Sequence, residues 1–199
     1  MGEFENNETR NASDTLQSAS LPMEINGHEA VDLGLSVKWA TCNVGVSAPE
    51  EYGDYFAWGE TEPKEEYTEA NSLTYGQEGV GDIAGNVRYD AATLHWGSSW
   101  RLPRKEEWEE LRNKCIWQWS SREGISGYNV VGPNGNTIFL PAAGLRYEAS
   151  LYDAASSGRY WSATPDGERN AIDFNFTPDE SYLDWGNRAA GNSIRPVSD

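Results

Sequence analysis

Side chains that do chemistry by themselves are scarce in this chain. The histidines are His28 and His95, and the cysteines are Cys42 and Cys115. Two cysteines cannot supply the four ligands of a structural zinc site, and their separation rules out a CxxC redox motif. They either pair as a disulfide or stand as buried thiols, and sequence leaves both open. His95, next to Trp96, reads as a packed or surface residue rather than a catalytic base. There is no nucleophile elbow, and the glycines of residues 76–81 do not form a phosphate-cradling GxGxxG followed by a helix. Carboxylates are the one abundant reactive type, 32 in all. A pair spaced for glycoside hydrolysis therefore stays open as an alternative, but with so many acids any given pair says little. Asp166, Asp179 and Glu180 offer oxygen ligands to calcium, though the better expectation is a solvated acidic face with no cofactor and no metal.

Composition bounds what must position these groups. A length of 199 residues with 38% hydrophobic content suits one core rather than two. Nine Trp, ten Tyr and twenty Gly favour short strands and tight loops over a helical bundle. The net charge of −17 would be repelled by a polyphosphate backbone, so nucleic acid is not an expected partner. No run approaches the roughly 20 apolar residues of a membrane helix. Residues 1–24 are polar and without hydrophobic periodicity, and read as a flexible tether ahead of a single domain over 25–199. Such a tether fits an exported, cell-surface or extracellular protein, lipid-tethered through an N-terminal signal since removed.

Period-two patterning over 29–35 and 36–44 predicts an opening hairpin, and 52–58 a further aromatic strand. Residues 60–89 are polar, Gly-interrupted and contain Pro63, as a surface excursion would be. The clearest helix spans 104–115: Pro103 precedes it, acids load its early turns and Arg112 and Lys114 its end. Trp108, Leu111 and Cys115 share one face of it, which should point inward. Strands are expected at 128–131 and 137–140 around the turn Pro133-Asn134-Gly135-Asn136, then at 160–164, 171–176 and 183–185, with 193–197 ending the chain. The expected class is a β-rich α+β fold with short helices and long loops.

Several ordered words give a resemblance. Trp100-Arg101-Leu102-Pro103 followed by Glu106-Glu107-Trp108 and Leu111 resembles a segment of the formylglycine-generating-enzyme-like branch of the C-type lectin fold. Residues 31–40 (VDLGLSVKWA), 53–60 (GDYFAWGE) and 138–144 (IFLPAAG), with Tyr160-Trp161-Ser162 and Ser193-Ile194-Arg195-Pro196-Val197, resemble the major-paralogous-domain proteins of gut bacteria. The resemblance implies a C-type-lectin-like fold. It does not carry an activity across, because the redox-active cysteine pair of the formylglycine-generating enzymes has no counterpart after Cys115. Trp185-Gly186-Asn187 likewise breaks the Trp-Asn-Asp triplet of calcium-dependent sugar lectins.

The words at 160–162 and 193–197 bracket a stretch similar to the variable region of diversity-generating retroelement target proteins. There, adenine-directed mutagenesis scrambles Asn-type codons at exposed positions. Phe174, Phe176, Leu183 and Trp185 sit at strand spacing and are expected in the core, as is Trp161. The positions expected to form one outward ligand-binding face are Thr164, Asp166, Glu168, Arg169, Asn170, Ile172, Asp173, Asn175, Thr177, Asp179, Ser181, Tyr182, Asp184, Gly186, Asn187, Ala189 and Ala190. Among these, Tyr182, Ile172 and Arg169 are the expected anchors. Asp, Ser, Thr, Tyr, Gly and Ala are all reachable from an AAC codon by changing adenines, whereas Glu168 and Glu180 are not. The implied function is non-catalytic binding of a protein or glycan on another cell, phage or host surface. The alternatives are an undiversified adhesin or pilus-tip domain and a carboxylate-dependent hydrolase.

Overall fold

The computed structural model describes residues 23–199. The expected tether therefore lies outside the described residues up to position 22. Its last two positions do not belong to it, because Met23 and Glu24 open a strand that pairs with Ala30 and Glu29. In chain order the elements are β1 Met23–Ile25, β2 His28–Asp32, β3 Lys38–Ala40, α1 Ala91–Trp96, α2 Lys105–Lys114, β4 Ile116–Arg122, β5 Ile125–Val131, β6 Thr137–Pro141, β7 Leu145–Tyr147, β8 Ser150–Tyr152, β9 Gly158–Asp166, β10 Asn170–Phe176, β11 Ser181–Asn187 and β12 Val197–Ser198. The fold is β-rich α+β.

Four small sheets share the work: β1-β2-β3-β12, β4-β5-β6, β7-β8 and β11-β10-β9. The first ties the two ends of the domain together, since Val197 pairs with Trp39. The opening hairpin forms, but with strands shorter than expected. The expected strand at 52–58 is extended chain making a single bridge, Phe56 to Asn192. The closing segment 193–197 is likewise irregular until Val197. In both places the chain gives its hydrogen bonds to distant segments rather than to a regular ladder, as with Phe56 and Asn192 exchanging both N–H···O bonds.

Helix α2 forms where expected. The Glu107 carboxylate accepts from the Arg104 N–H at 2.7 Å and satisfies one orphan donor of the first turn. Trp108 and Leu111 are buried, and the Cys115 N–H closes the last turn on the Leu111 carbonyl. Trp108 stacks on Phe174 at 4.7 Å and meets Trp39 at the same distance, so α2 joins the first and last sheets through one aromatic stack. A second cluster gathers Phe56, Trp58, Trp100 and Trp161. In the β5–β6 hairpin only glycine fits at Gly127, where a Cβ would lie 2.3 Å from the Leu140 carbonyl oxygen. Both cysteines are free thiols, and burial raises the pKa of each, Cys115 to about 11.

Replacing Trp108 with Ala should cost about 3–5 kcal/mol. Chemical denaturation would check it; a loss below about 1 kcal/mol would show that the stack does not carry the core.

Candidate functional site

The C-terminal sheet has β10 at its centre, and its register sorts side chains onto two faces. Phe174 lies opposite Leu183 and Tyr160, and Phe176 opposite Ser181 and Gly158. This face enters the core. Asp173 lies opposite Asp184 and Trp161, and Asn175 opposite Tyr182 and Arg159. On β9 this second face sinks Trp161 into the core, but over β10 and β11 it opens into a hollow of about 310 Å³ bordered by Tyr147, Arg159, Asp173, Asp184, Gly186 and Asn192.

The floor of the hollow is a short polar chain. Asn175 Nδ2 donates to Asp173 Oδ1 at 2.8 Å, and Asn192 Nδ2 donates to Asp173 Oδ2 at 3.1 Å. Asp173 and Asn192 are each 1% exposed and Asn175 is 3% exposed. Burial pushes the Asp173 carboxyl up to about 6, opposed by the Asn175 amide and the positive charge of Arg159. Gly186 forms the facing wall. A Cβ there would stand 2.7 Å from the Asp173 carboxylate and 2.9 Å from the Trp161 ring, so the absence of a side chain keeps the hollow open.

Two arginines hold the segment that forms the lip. Arg188 is buried and donates to the carbonyls of Asn170 at 3.1 Å, Thr74 at 3.1 Å and Gly167 at 2.6 Å, with its guanidinium 4.3 Å from the Trp58 ring centre. Arg195, fully buried, donates to Asn43 Oδ1 at 2.8 Å and to the carbonyls of Ala40 and Thr41 at 3.1 and 2.9 Å. Neither has a carboxylate within ion-pair distance among the described residues.

The expected single outward face is thereby corrected. Asp173, Asn175, Tyr182, Asp184 and Gly186 do share a face, and Asn187 and Ala190 line the same hollow or the one beside it. Asp173 and Asn175 are buried under the returning chain, whose Asn192 reaches Asp173, and Ala189 and Ala190 are buried as part of that chain. Ile172 and Ser181 point to the opposite face, as the strand parity dictates. Thr164, Asp166, Glu168, Arg169 and Asn170 gather at the β9–β10 turn, and Thr177 and Asp179 at the β10–β11 turn at the other end of the sheet. Asp166 and the pair Asp179 and Glu180 are thus held at opposite ends of β10. No group of three or more His, Cys, Asp or Glu side chains arranged to hold a metal occurs among the described residues.

Trp185 is a second correction. It has the parity of Phe174 and Leu183, but β11 is the edge strand and at this end the face runs out beyond the core, leaving the ring 61% exposed. Leu183 is half-buried, and Trp161 is fully buried as expected. Sequence reasoning missed Arg159, Asn192 and Tyr147. The first two sit inside or beside the framework words, where a polar residue reads as a scaffold part; Tyr147 lies on a three-residue strand with no periodicity to announce it.

No family model matches the chain, and no curated protein or solved structure matches it.

Two outcomes test this geometry. Because the Asp173 pKa is raised in the folded state from 3.8 to about 6, its contribution to stability is fully present below about 4 and is lost as pH rises through about 6. Thermal melts of Asp173→Asn against the wild type should therefore show a larger deficit at pH 5 than at pH 8, and a pH-independent difference would refute the assignment. Arg188→Lys keeps the charge but cannot reach three carbonyls with a planar fork, and should lose about 2–4 kcal/mol. A Lys variant of wild-type stability in urea would show that the fork is dispensable.

Proposed function

We propose that the chain is a non-catalytic binding domain of C-type-lectin-like fold, exported to the cell surface or beyond, whose C-terminal sheet displays a ligand-binding face diversified by a retroelement. The observation that carries this reading is the hollow on the outward side of β10 and β11. It is built largely from the segment between the framework words at 160–162 and 193–197, and has a polar floor of Asp173, Asn175 and Asn192.

Binding rather than catalysis is supported by how the carboxylates are used. Both Asp173 oxygens accept amide hydrogens, and Asp184 Oδ1 accepts the Trp185 N–H at 2.9 Å. Asp173 thus has no oxygen free to exchange a proton with substrate or water, as each member of a general acid and base pair must have. The Nε2 of His95 is likewise engaged, 2.7 Å from the Thr61 carbonyl. The partner in this reading is a protein or glycan on another cell, phage or host surface.

The burial pattern refines which positions vary. Asp166, Arg169, Asp179 and Asp184 are exposed and Tyr182 half-exposed, so their replacement disturbs little. Asp173, Gly186, Ala189 and Ala190 are confined, and most side chains placed there would collide or strand a polar group. Sequencing the surrounding genome tests the proposal. Expected are a reverse transcriptase gene and a template repeat whose mismatches to the 3′ end of this gene fall at template adenines, concentrated in the exposed set. Mismatches indifferent to base, or no template repeat, would sink the diversification reading.

A further inference from the structure

Four of the six buried side-chain polar atoms without a partner among the described residues, Ser157 Oγ, Arg159 Nε, Asn175 Oδ1 and Asn192 Oδ1, cluster behind the outward face of β10, where no incoming atom reaches them. Unused hydrogen-bonding groups that are open to a partner lie elsewhere, along the backbone edge of β4.

The β4–β5 hairpin turns at Glu123 and Gly124, both at positive φ (48° and 83°), as a two-residue type I′ turn requires, so Arg122 and Ile125 form a hydrogen-bonded pair. The far side of β5 agrees. Its Ser126 carbonyl accepts the Ala142 N–H and its Gly132 neighbour donates to the Asn136 carbonyl, which assigns the even-numbered residues to β6 and the odd-numbered ones to β4. Bonded and non-bonded pairs alternate along an antiparallel ladder. The register therefore commits Ile116, Gln118, Ser120 and Arg122 to β5, and turns the N–H and C=O of Trp117, Trp119 and Ser121 outward. None of these six groups has a partner among the described residues.

The edges of the C-terminal sheet are closed by comparison. On β11 the Trp185 N–H is taken by the Asp184 carboxylate and the Ser181 carbonyl by Arg112 Nε at 2.7 Å, and on β9 the Trp161 and Ala163 N–H groups reach the Ser193 and Pro103 carbonyls. An edge left open is ordinarily protected by charge, proline or a bulge. Residues 116–121 have none of these, their register is unbroken, and Ile116 is 63% exposed.

Beside this edge lies a hollow of about 690 Å³ walled by Trp117, Trp119, Tyr128, Pro178, Asp179 and Glu180. The two indoles are half-buried and stand at 79° and 81° to the Tyr128 ring, with centroids at 5.3 and 5.1 Å, so part of each ring surface stays open. Asp179 and Glu180 are exposed and enter no ion pair among the described residues. Arg112, the basic group on the rim, spends its Nε on the Ser181 carbonyl. Open indole faces next to unpaired carboxylates select a cation, and a guanidinium suits both, since it stacks on an aromatic ring and forks onto a carboxylate. An acidic segment would meet both carboxylates, and a second copy would bring another net charge of −17.

We infer that the outer edge of β4 is a docking site for an extended basic segment of a partner protein, added as a strand on Trp117, Trp119 and Ser121 with its Arg or Lys side chains entering the aromatic recess. Alternation along the added strand turns every second side chain toward the recess, so the segment carries its basic residues at every second position. The site is separate from the polar floor over Asp173 and does not rest on the binding-face reading.

The test is an NMR titration of the full, isotopically labelled chain with a blocked pentapeptide alternating Arg with Val, against the same peptide carrying Glu for Arg. The Arg peptide should shift the backbone amides of Trp117, Trp119 and Ser121 and the Trp119 indole N–H saturably, with a dissociation constant on the order of 0.1–1 mM, and the Glu peptide should not. Ser121→Pro removes an outward N–H and no ladder bond, and should weaken the binding by about fivefold or more. Asp179→Asn combined with Glu180→Gln, both exposed, should do the same at low salt and reduce the salt dependence. No saturable shift at these amides, equal binding of the Glu peptide, or unchanged affinity in either variant overturns the inference. Dimers in sedimentation that vanish in Ser121→Pro would assign the edge to a second copy and overturn it as well.

Discussion

The structure depends on two buried positive charges held by carbonyls rather than by ion pairs. Arg188 and Arg195 are buried in a protein with more than twice as many acidic as basic residues, and neither is paired with a carboxylate among the described residues. Desolvating a guanidinium is expensive, and burial lowers the pKa of both. Carbonyl dipoles take the place of water: three from Thr74, Gly167 and Asn170 around Arg188, and two with an Asn side chain around Arg195. A planar five-donor fork bridges carbonyls that belong to segments far apart in sequence, which an ammonium would do less well. Each arginine thus converts a loop without regular secondary structure into a fixed part of the wall.

That arrangement explains how the C-terminal segment is held in place where it is irregular. Between β11 and β12 the chain has almost no ladder of its own, yet its backbone bonds reach Phe56, Arg146 and Arg159, and its side chains close over the outward face of β10. Asn192 is the meeting point. Its backbone exchanges hydrogen bonds with Phe56 while its amide holds Asp173. The floor of the hollow is therefore set by the scaffold rather than by the residues displayed around it, so the rim is free to change chemically without moving the floor.

Parity was legible in the sequence; depth was not. The alternation of Phe174, Phe176, Leu183 and Trp185 places all four on one side of the sheet, and the register agrees. What alternation does not report is where the neighbouring layer ends, and so Trp185 is exposed while Phe174 is fully buried. The opposite error occurs at Asp173 and Asn175. Polar residues at outward parity read as surface, but a later stretch of chain covers them, and nothing local in 170–176 signals a cover arriving from 188–195. Helix α2 was readable because its cap, charge bias and apolar stripe are all local. Helix α1 was not, because its cap, Asp90, is recognisable only through its contacts with Gly85, Thr93 and Leu102.

The clustering of unsatisfied groups on one face follows from the same economy. Elsewhere in the core several indole and hydroxyl donors find carbonyls, Trp58 on Ser162, Trp161 on Phe56, Tyr160 on Pro141 and Tyr55 on Ala143, while Trp39 Nε1 finds none. A sequence able to satisfy those four groups, and to blunt the edge of β11 with Asp184 and Arg112, is not short of means to satisfy Asn175 and Asn192 as well. Asp173 uses up the amide hydrogens of both and leaves both carbonyl oxygens bare, which fixes two acceptors in place without neutralising them. Both amides are thereby held in one orientation, at the cost of two buried acceptors left without partners.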